Sequence, residues 1–198
     1  MKNLMALLFI LPLFAFVNKE TAFTVDTKAS NVHWLGKKTT GQHEGDVKVK
    51  SGTLNFNGSI PVKGEFVLDM TSLTVTDIAD AEDNKHLVDH LANDDFFSIA
   101  KNPTAVLSIK KLEKIAAAKA GEANYQLTAD LTIKGIKNEI QFPALINVNG
   151  KNATAKADFT IDRTKWNITY KSKSILGGMA DKFIYDEIYF SVNLSLNN

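Results

Sequence analysis

Strict alternation of apolar and polar residues over long segments is the feature that most constrains how this chain can fold. Tyr125, Leu127, Ala129, Leu131 and Ile133 alternate with Gln126, Thr128, Asp130 and Thr132. Ile140, Phe142, Ala144, Ile146 and Val148 share a phase in the next segment, and Ala153, Ala155, Ala157, Phe159 and Ile161 in the one after. Near the C-terminus Ile184, Ile188, Phe190, Val192, Leu194 and Leu196 do the same. A period of two puts neighbouring side chains on opposite faces of an extended strand. Each segment is therefore a strand with one buried face and one wet face, the pattern of antiparallel sheets.

Further strands are expected at 23–26, 32–37, 53–56, 64–70 and 104–112, for eight or nine in all, with the last resuming at 181–184. The segments 134–138 and 147–152 each carry Gly and Asn and read as hairpin turns. Residues 84–100 break the pattern: Leu87, Val88 and Leu91 fall at helical spacing, Asn84 can cap the helix, and Pro103 stops it. Many alternating strands with one short helix give a closed barrel or a sandwich, and closure, which removes sticky edges, favours the barrel. A barrel of about eight strands is either filled by its own side chains or holds one small ligand.

Residues 1–22 are read as a signal peptide and 23–198 as the folded domain. Lys2 precedes an apolar run at 4–17 that contains Pro12 and ends at Lys19 and Glu20. Fourteen residues span only about 21 Å as a helix, short of a hydrocarbon core of about 30 Å. The run thus suits a cleaved leader better than an anchor. Glu20 fits badly three residues before a cut at Ala22, so cleavage anywhere from Ala15 to Ala22 is compatible. Cysteine is absent, which removes disulfides, thiolate metal sites, a thiol nucleophile and a lipidated cysteine. Lys and Arg total 23 against 22 Asp and Glu, a balance without the basic excess of nucleic-acid binders.

The strand phases define a candidate interior. Besides the sets above it takes Trp34, Phe66, Leu68, Met70, Leu107 and Ile109. With Leu127, Leu131, Phe142, Ala155, Ala157, Phe159, Ile161, Ile188 and Phe190 they would form a greasy lining. The small Ala153, Ala155 and Ala157 leave free space unless bulky neighbours fill it. Arg163 continues the inward phase of Ile161, and Asp186 that of Ile184 and Ile188, so the two are expected to meet at one mouth. There Arg163 either holds a polar head group or forms an ion pair that closes the barrel end. Trp166 is a further candidate at that mouth, core packing being the alternative for both Trp34 and Trp166, and His33 and His43 read as surface or loop residues.

His86 and His90 stand four residues apart on the expected helix, a spacing that can clamp zinc. A metal-dependent hydrolase built on them is one rival reading, although no Glu lies between them and no third ligand is evident. A structural or adhesive β-domain with a filled core is the other; Tyr185 and Tyr189, outward on the last strand, would be its partner surface. No nucleophile elbow, phosphate loop or dinucleotide fingerprint is present. No catalytic residue, metal or cofactor is assigned.

Several motifs in order resemble the YceI-like, polyisoprenoid-binding family. They are Thr74-Val75-Thr76-Asp77, Asn84-Lys85-His86-Leu87, Asp94-Asp95-Phe96-Phe97 with Asn102-Pro103, Leu131-Thr132-Ile133-Lys134-Gly135-Ile136-Lys137, and Asp162-Arg163-Thr164-Lys165-Trp166. Val25-Asp26, Val32, Trp34, Gly41, His43 and Gly45 fit the family's opening strands. The likeness runs from about Phe23 to Leu196. Trp166 and Asn167 depart from it, standing where the family has Phe and Gly. The resemblance implies a lipocalin-like antiparallel β-barrel with one or two short helices in connections. It implies export to the periplasm or beyond, and a long isoprenoid-type lipid held inside for storage, transport or stress response. It also implies a homodimer and no catalytic residues.

Overall fold

The computed structural model describes residues 20–176 and 183–198. The expected leader, Gly177-Gly178, which read as a turn in the sequence, and the resumption of the last strand at Asp181 therefore lie outside the described residues, apart from the short stretch after Lys19. The strands are β1 (Thr21–Val25), β2 (Asn31–Lys38), β3 (Gly41–Asn57), β4 (Ile60–Asp69), β5 (Thr104–Lys114), β6 (Tyr125–Ile133), β7 (Ile136–Asn149), β8 (Asn152–Asp162) and β9 (Ile184–Asn197). Helix α1 (Ala81–Ala92) joins β4 to β5, and the short α2 (Lys173–Leu176) precedes β9.

Strands β2 to β9 pair antiparallel in chain order, and β9 returns to β2, so eight staves close a ring. The ninth strand, β1, adds no stave. It pairs with the end of β3 and the end of β9, where β2 pairs with the start of each. β1 and β2 are thus two halves of one stave, interrupted at residues 26–30. Ser30 bridges the interruption, its hydroxyl donating to the Ser195 carbonyl and accepting from the Ser195 N–H. The hairpin at residues 134 and 135 turns through left-handed backbone at Lys134 and Gly135, the two-residue geometry that matches strand twist.

Two expectations change. Strand β3 begins at Gly41, well before residue 53. Its register with β4 shifts between Val49 and Ser51, so the inward phase passes from Val47 and Val49 to Leu54 and Phe56, and a reader of alternation sees no continuous strand. Helix α1 starts at Ala81 and is capped by Asp80, whose carboxylate accepts from the Glu82 and Asp83 N–H groups. Asn84, within the helix, instead donates to the Val75 and Ile78 carbonyls. The helix stops at Ala92, and residues 93–103 form turns.

The core divides by height in the barrel. Phe23, Leu54, Phe56, Tyr125 and Leu196 pack at the end where β1 lies. Trp34, Met70, Leu91, Phe96, Leu131 and Ile188 pack at the other end, beneath the connection that carries α1. No helix among the described residues is long and apolar enough to cross a membrane.

Candidate functional site

Between the two halves of the core lies a cavity of ≈ 200 Å³ with an almost wholly apolar wall. Trp34, Phe66, Leu68, Met70, Leu107 and Ile109 line it from β2, β4 and β5. Leu127, Leu131 and Phe142 line it from β6 and β7, and Ala155, Ala157, Phe159, Ile188 and Phe190 from β8 and β9. Ile161, expected with them, is buried in the helical half of the core and does not reach the cavity. Ala155 and Ala157 point inward yet are only half-buried, because they border open space.

The wall is uneven at β7 and β8. These strands pair only from Leu145 with Lys156 to Asn149 with Asn152, and beyond that their backbones part. Side chains bridge the seam in place of a ladder. Phe142 stacks on Phe159 with centroids 4.4 Å apart, and Phe159 on Phe190 at 5.4 Å. Asn138 donates to the Lys165 carbonyl, and the Trp166 indole N–H to the Leu131 carbonyl at 3.0 Å.

Trp166 thus sits away from any mouth. It is 0% exposed, plugs the seam and does not line the cavity. Asn167, where the resembled family has Gly, adopts φ 56°, a left-handed conformation that Asn tolerates better than most residues. Arg163 and Asp186 do meet, with 3.5 Å between the guanidinium and Oδ1. The guanidinium is 1% exposed and largely committed to the protein. Nε donates to the Tyr185 carbonyl, Nη1 to Ile168, and Nη2 to Tyr170 and Ile184. Asp186 Oδ1 lies close to the cation without a properly oriented hydrogen bond, while Oδ2 accepts from the Ser174 N–H. Burial pushes the Asp186 carboxyl up, but bonds from Ser172 and Ser174 and the Arg163 charge outweigh it and hold its pKa below the ordinary value. This geometry commits the Arg163 guanidinium to four main-chain carbonyls beside Asp186.

Arg163 and Lys156 aside, the polar residues that border the cavity lie where the β2–β3 hairpin faces the start of β9. Lys37, Lys38, His43, Tyr185 and Glu187 all reach the cavity there. Lys38 continues the inward phase of Val32 and Trp34, and His43 that of Gly45, Val47 and Val49. Lys38 Nζ lies 2.8 Å from His43 Nε2, and His43 Nδ1 lies 2.8 Å from Asp77 Oδ2. An ammonium only donates, so Nε2 accepts and the ring proton sits on Nδ1, donating to Asp77. Asp77 Oδ1 accepts from the Glu44 N–H. Desolvation raises the Asp77 pKa, and the Glu44 and His43 bonds more than offset it, leaving it lowered.

Segment 73–77, which brings Asp77, crosses the barrel end against β3, with Thr74 N–H donating to Asp46 and Thr76 N–H to Glu44. Gly45 makes this approach possible, since a Cβ there would stand 1.8 Å from the Thr74 carbonyl oxygen. His43 was read from the sequence as a surface or loop residue. Counting its phase back from Val47 and Val49 would have placed it inward.

His86 and His90 do not converge on a third ligand. His86 is exposed, while the His90 ring packs edge-on against Tyr170 at 4.7 Å and Phe96 at 5.0 Å. Among the described residues no three His, Cys, Asp or Glu groups gather as metal ligands would. Tyr189 is exposed beneath the Lys37 ammonium, and the Tyr185 ring packs edge-on against Phe183 with centroids 5.2 Å apart and the Lys173 ammonium 5.1 Å from its centre.

A profile described as the YceI-like domain matches residues 23–196. The fold resembles solved structures. One is BcnA of Burkholderia cenocepacia, 24% identical with TM-score 0.63, over 86% of this chain and 98% of that one. Another is a polyisoprenoid binding domain from Saccharophagus degradans implicated in plant cell wall breakdown, 16% identical with TM-score 0.63, over 88% and 97%. A third is the YCEI protein of Campylobacter jejuni, 19% identical with TM-score 0.54, over 100% and 99%. A search of curated proteins returns no match.

Proposed function

The chain belongs to the YceI-like family, and from that premise we propose that it is an exported carrier holding a long isoprenoid-type lipid inside its barrel. The observation that carries this reading is the apolar cavity of ≈ 200 Å³ inside the barrel. It exceeds the roughly 150 Å³ cavity that takes up benzene and falls below the roughly 300–1,000 Å³ of drug-sized pockets. The resting space therefore admits part of a long chain. A lining that offers contact area and few hydrogen bonds suits a hydrocarbon, which gains about 25 cal/mol per Å² buried. The same free space disfavours the filled-core alternative, and the scattered His86 and His90 offer no support to a hydrolase.

The leader-like residues 1–22 support release into the periplasm or beyond. The family resemblance adds a homodimer, which sedimentation of the processed protein tests; a monomeric mass overturns it. For the ligand, native mass spectrometry of gently purified protein, followed by organic extraction, is the direct test. Added mass that extracts as a prenyl lipid is expected. A protein that carries no extra mass and leaves added prenyl lipids unbound overturns the reading.

A further inference from the structure

We propose that one quarter of the helical end of the barrel, built from residues 170–175, residues 183–189 and the β2–β3 hairpin, is a docking face for an anionic phospholipid bilayer. Ile175 enters the acyl boundary, and Lys37, Lys171 and Lys173 lie at the level of the phosphates. The inference goes beyond the carrier reading and does not depend on it, since an empty barrel presents the same face.

The apolar tip is presented by a fixed turn. Ile175 is 60% exposed, yet its N–H donates to the Ser172 hydroxyl at 3.4 Å, and the Ser174 N–H donates to Asp186 at 3.0 Å. Ser172 is fully buried and bridges to Ile184, whose N–H donates to the Lys171 carbonyl. Lys171 holds φ 45°, a left-handed backbone that is costly for a lysine and is kept here by those bonds. The turn therefore points an isoleucine outward, where water disfavours it and a hydrocarbon boundary does not.

Three lysines stand around this tip, each over an aromatic ring. Lys171 Nζ lies 5.4 Å from the centre of the Tyr170 ring, and Lys173 Nζ 5.1 Å from that of Tyr185 and 5.5 Å from that of Phe183. Lys37 Nζ lies 4.7 Å from that of Tyr189. Among the described residues no cation elsewhere is seated on a ring in this way. The Thr39 N–H donates to the Phe183 carbonyl, which fastens the β2–β3 hairpin to the cluster. Amphipathic rings with lysines above them have the composition of a membrane–water boundary, apolar bodies inward and cations at head-group level. The charge is also suited to an anionic leaflet. Residues 163–176 contain Arg163, Lys165, Lys171 and Lys173 and no acid, and residues 36–42 contain Lys37 and Lys38 and no acid. Arg163 is buried beside Asp186 and adds nothing outside. Residues 177–182 hold one Asp and one Lys, which leaves the balance unchanged, and Glu187 is the exposed acid within 183–189. Tyr170 marks the border with α1, where it meets the His90 ring. Beyond that border α1 carries Glu82, Asp83 and Asp89 against Lys85, so an anionic surface repels the helix and tilts the molecule onto the lysine side. Each lysine held close to such a surface is worth about fivefold in partition, a gain that salt screens.

The test is co-sedimentation of the processed protein, free of its apolar leader so that the leader contributes nothing, with sucrose-loaded vesicles. One set is phosphatidylcholine alone and the other contains roughly one-third phosphatidylglycerol. Wild type is expected to partition onto the anionic set at least tenfold more strongly at low salt, and a tenfold rise in salt should remove most of that preference. Lys173→Glu should lose at least tenfold on the anionic vesicles and Ile175→Ser at least threefold. Both change exposed side chains, so their circular dichroism should match wild type. Ile60→Ser alters an equally exposed isoleucine at the opposite end of the barrel and should bind as wild type does. Indifference of the wild type to phosphatidylglycerol overturns the docking face, as does unaltered binding of Lys173→Glu and Ile175→Ser. A loss with Lys173→Glu alone overturns the insertion of Ile175, and an equal loss with Ile60→Ser overturns the choice of this end. Binding to native membrane fragments with bare vesicles inert overturns the proposal in favour of a protein receptor. None of these outcomes touches the carrier reading, which stands or falls on the mass of lipid inside the barrel.

Discussion

At the scale of single residues, buried polar groups are used here to fix backbone, and their removal is costly. Arg163→Met leaves the carbonyls of Ile168, Tyr170, Ile184 and Tyr185 short of a donor and strands Asp186. Breaking a buried pair from one side costs about 3–5 kcal/mol, and urea unfolding should register a loss of that size. Gly45→Ala should cost about 1–3 kcal/mol in the same assay, because β3 and segment 73–77 must separate to admit the methyl group. The encounter of Arg163 with Asp186 was legible in the sequence, since both residues continue a visible inward phase. The Lys38–His43–Asp77 chain was not, because Asp77 comes from a segment whose path across the barrel end no periodicity records. For Trp166 the sequence left mouth and core open, and the structure buries it completely at the end of the 3-10 turn Arg163–Trp166 that follows β8.

At the scale of elements, alternation was readable where strands run without a break and hidden where they bulge. β6, β8 and most of β7 keep one phase along their length and were evident. β3 changes phase at its bulge, and β5 changes phase between Ile109 and Lys111. The unzipped stretch of β7 and β8 looks like any strand in sequence, because the seam is closed by stacked rings instead of a ladder. A double-mutant cycle of Phe142→Leu and Phe159→Leu should give a coupling of about 0.5–1.5 kcal/mol beyond the separate losses.

At the scale of the whole molecule, free space and charge set the behaviour. Ala157→Leu introduces three carbon atoms at the cavity wall; it should leave stability within about 1 kcal/mol of wild type while reducing the capacity for prenyl lipid, read by native mass spectrometry. Acid should unfold the protein through its paired carboxyls. Asp77 and Asp186 titrate below their ordinary value of 3.8 when folded, so the stability they add is complete above that value and is lost as pH falls through the lower folded one. Stability measured from pH 5 down to pH 2 should therefore decline, and Asp186→Asn should flatten the decline.

The split stave has one more consequence. β1 and β2, made from the first folded residues, are locked by β9, the last, and Ser30 bonds Ser195 across a separation of 165 residues. A loop of that span costs on the order of 4–5 kcal/mol to close before any contact rewards it. The circle cannot be completed until β9 has been made, so up to that point a growing chain stays an unfinished ribbon and is slow to fold.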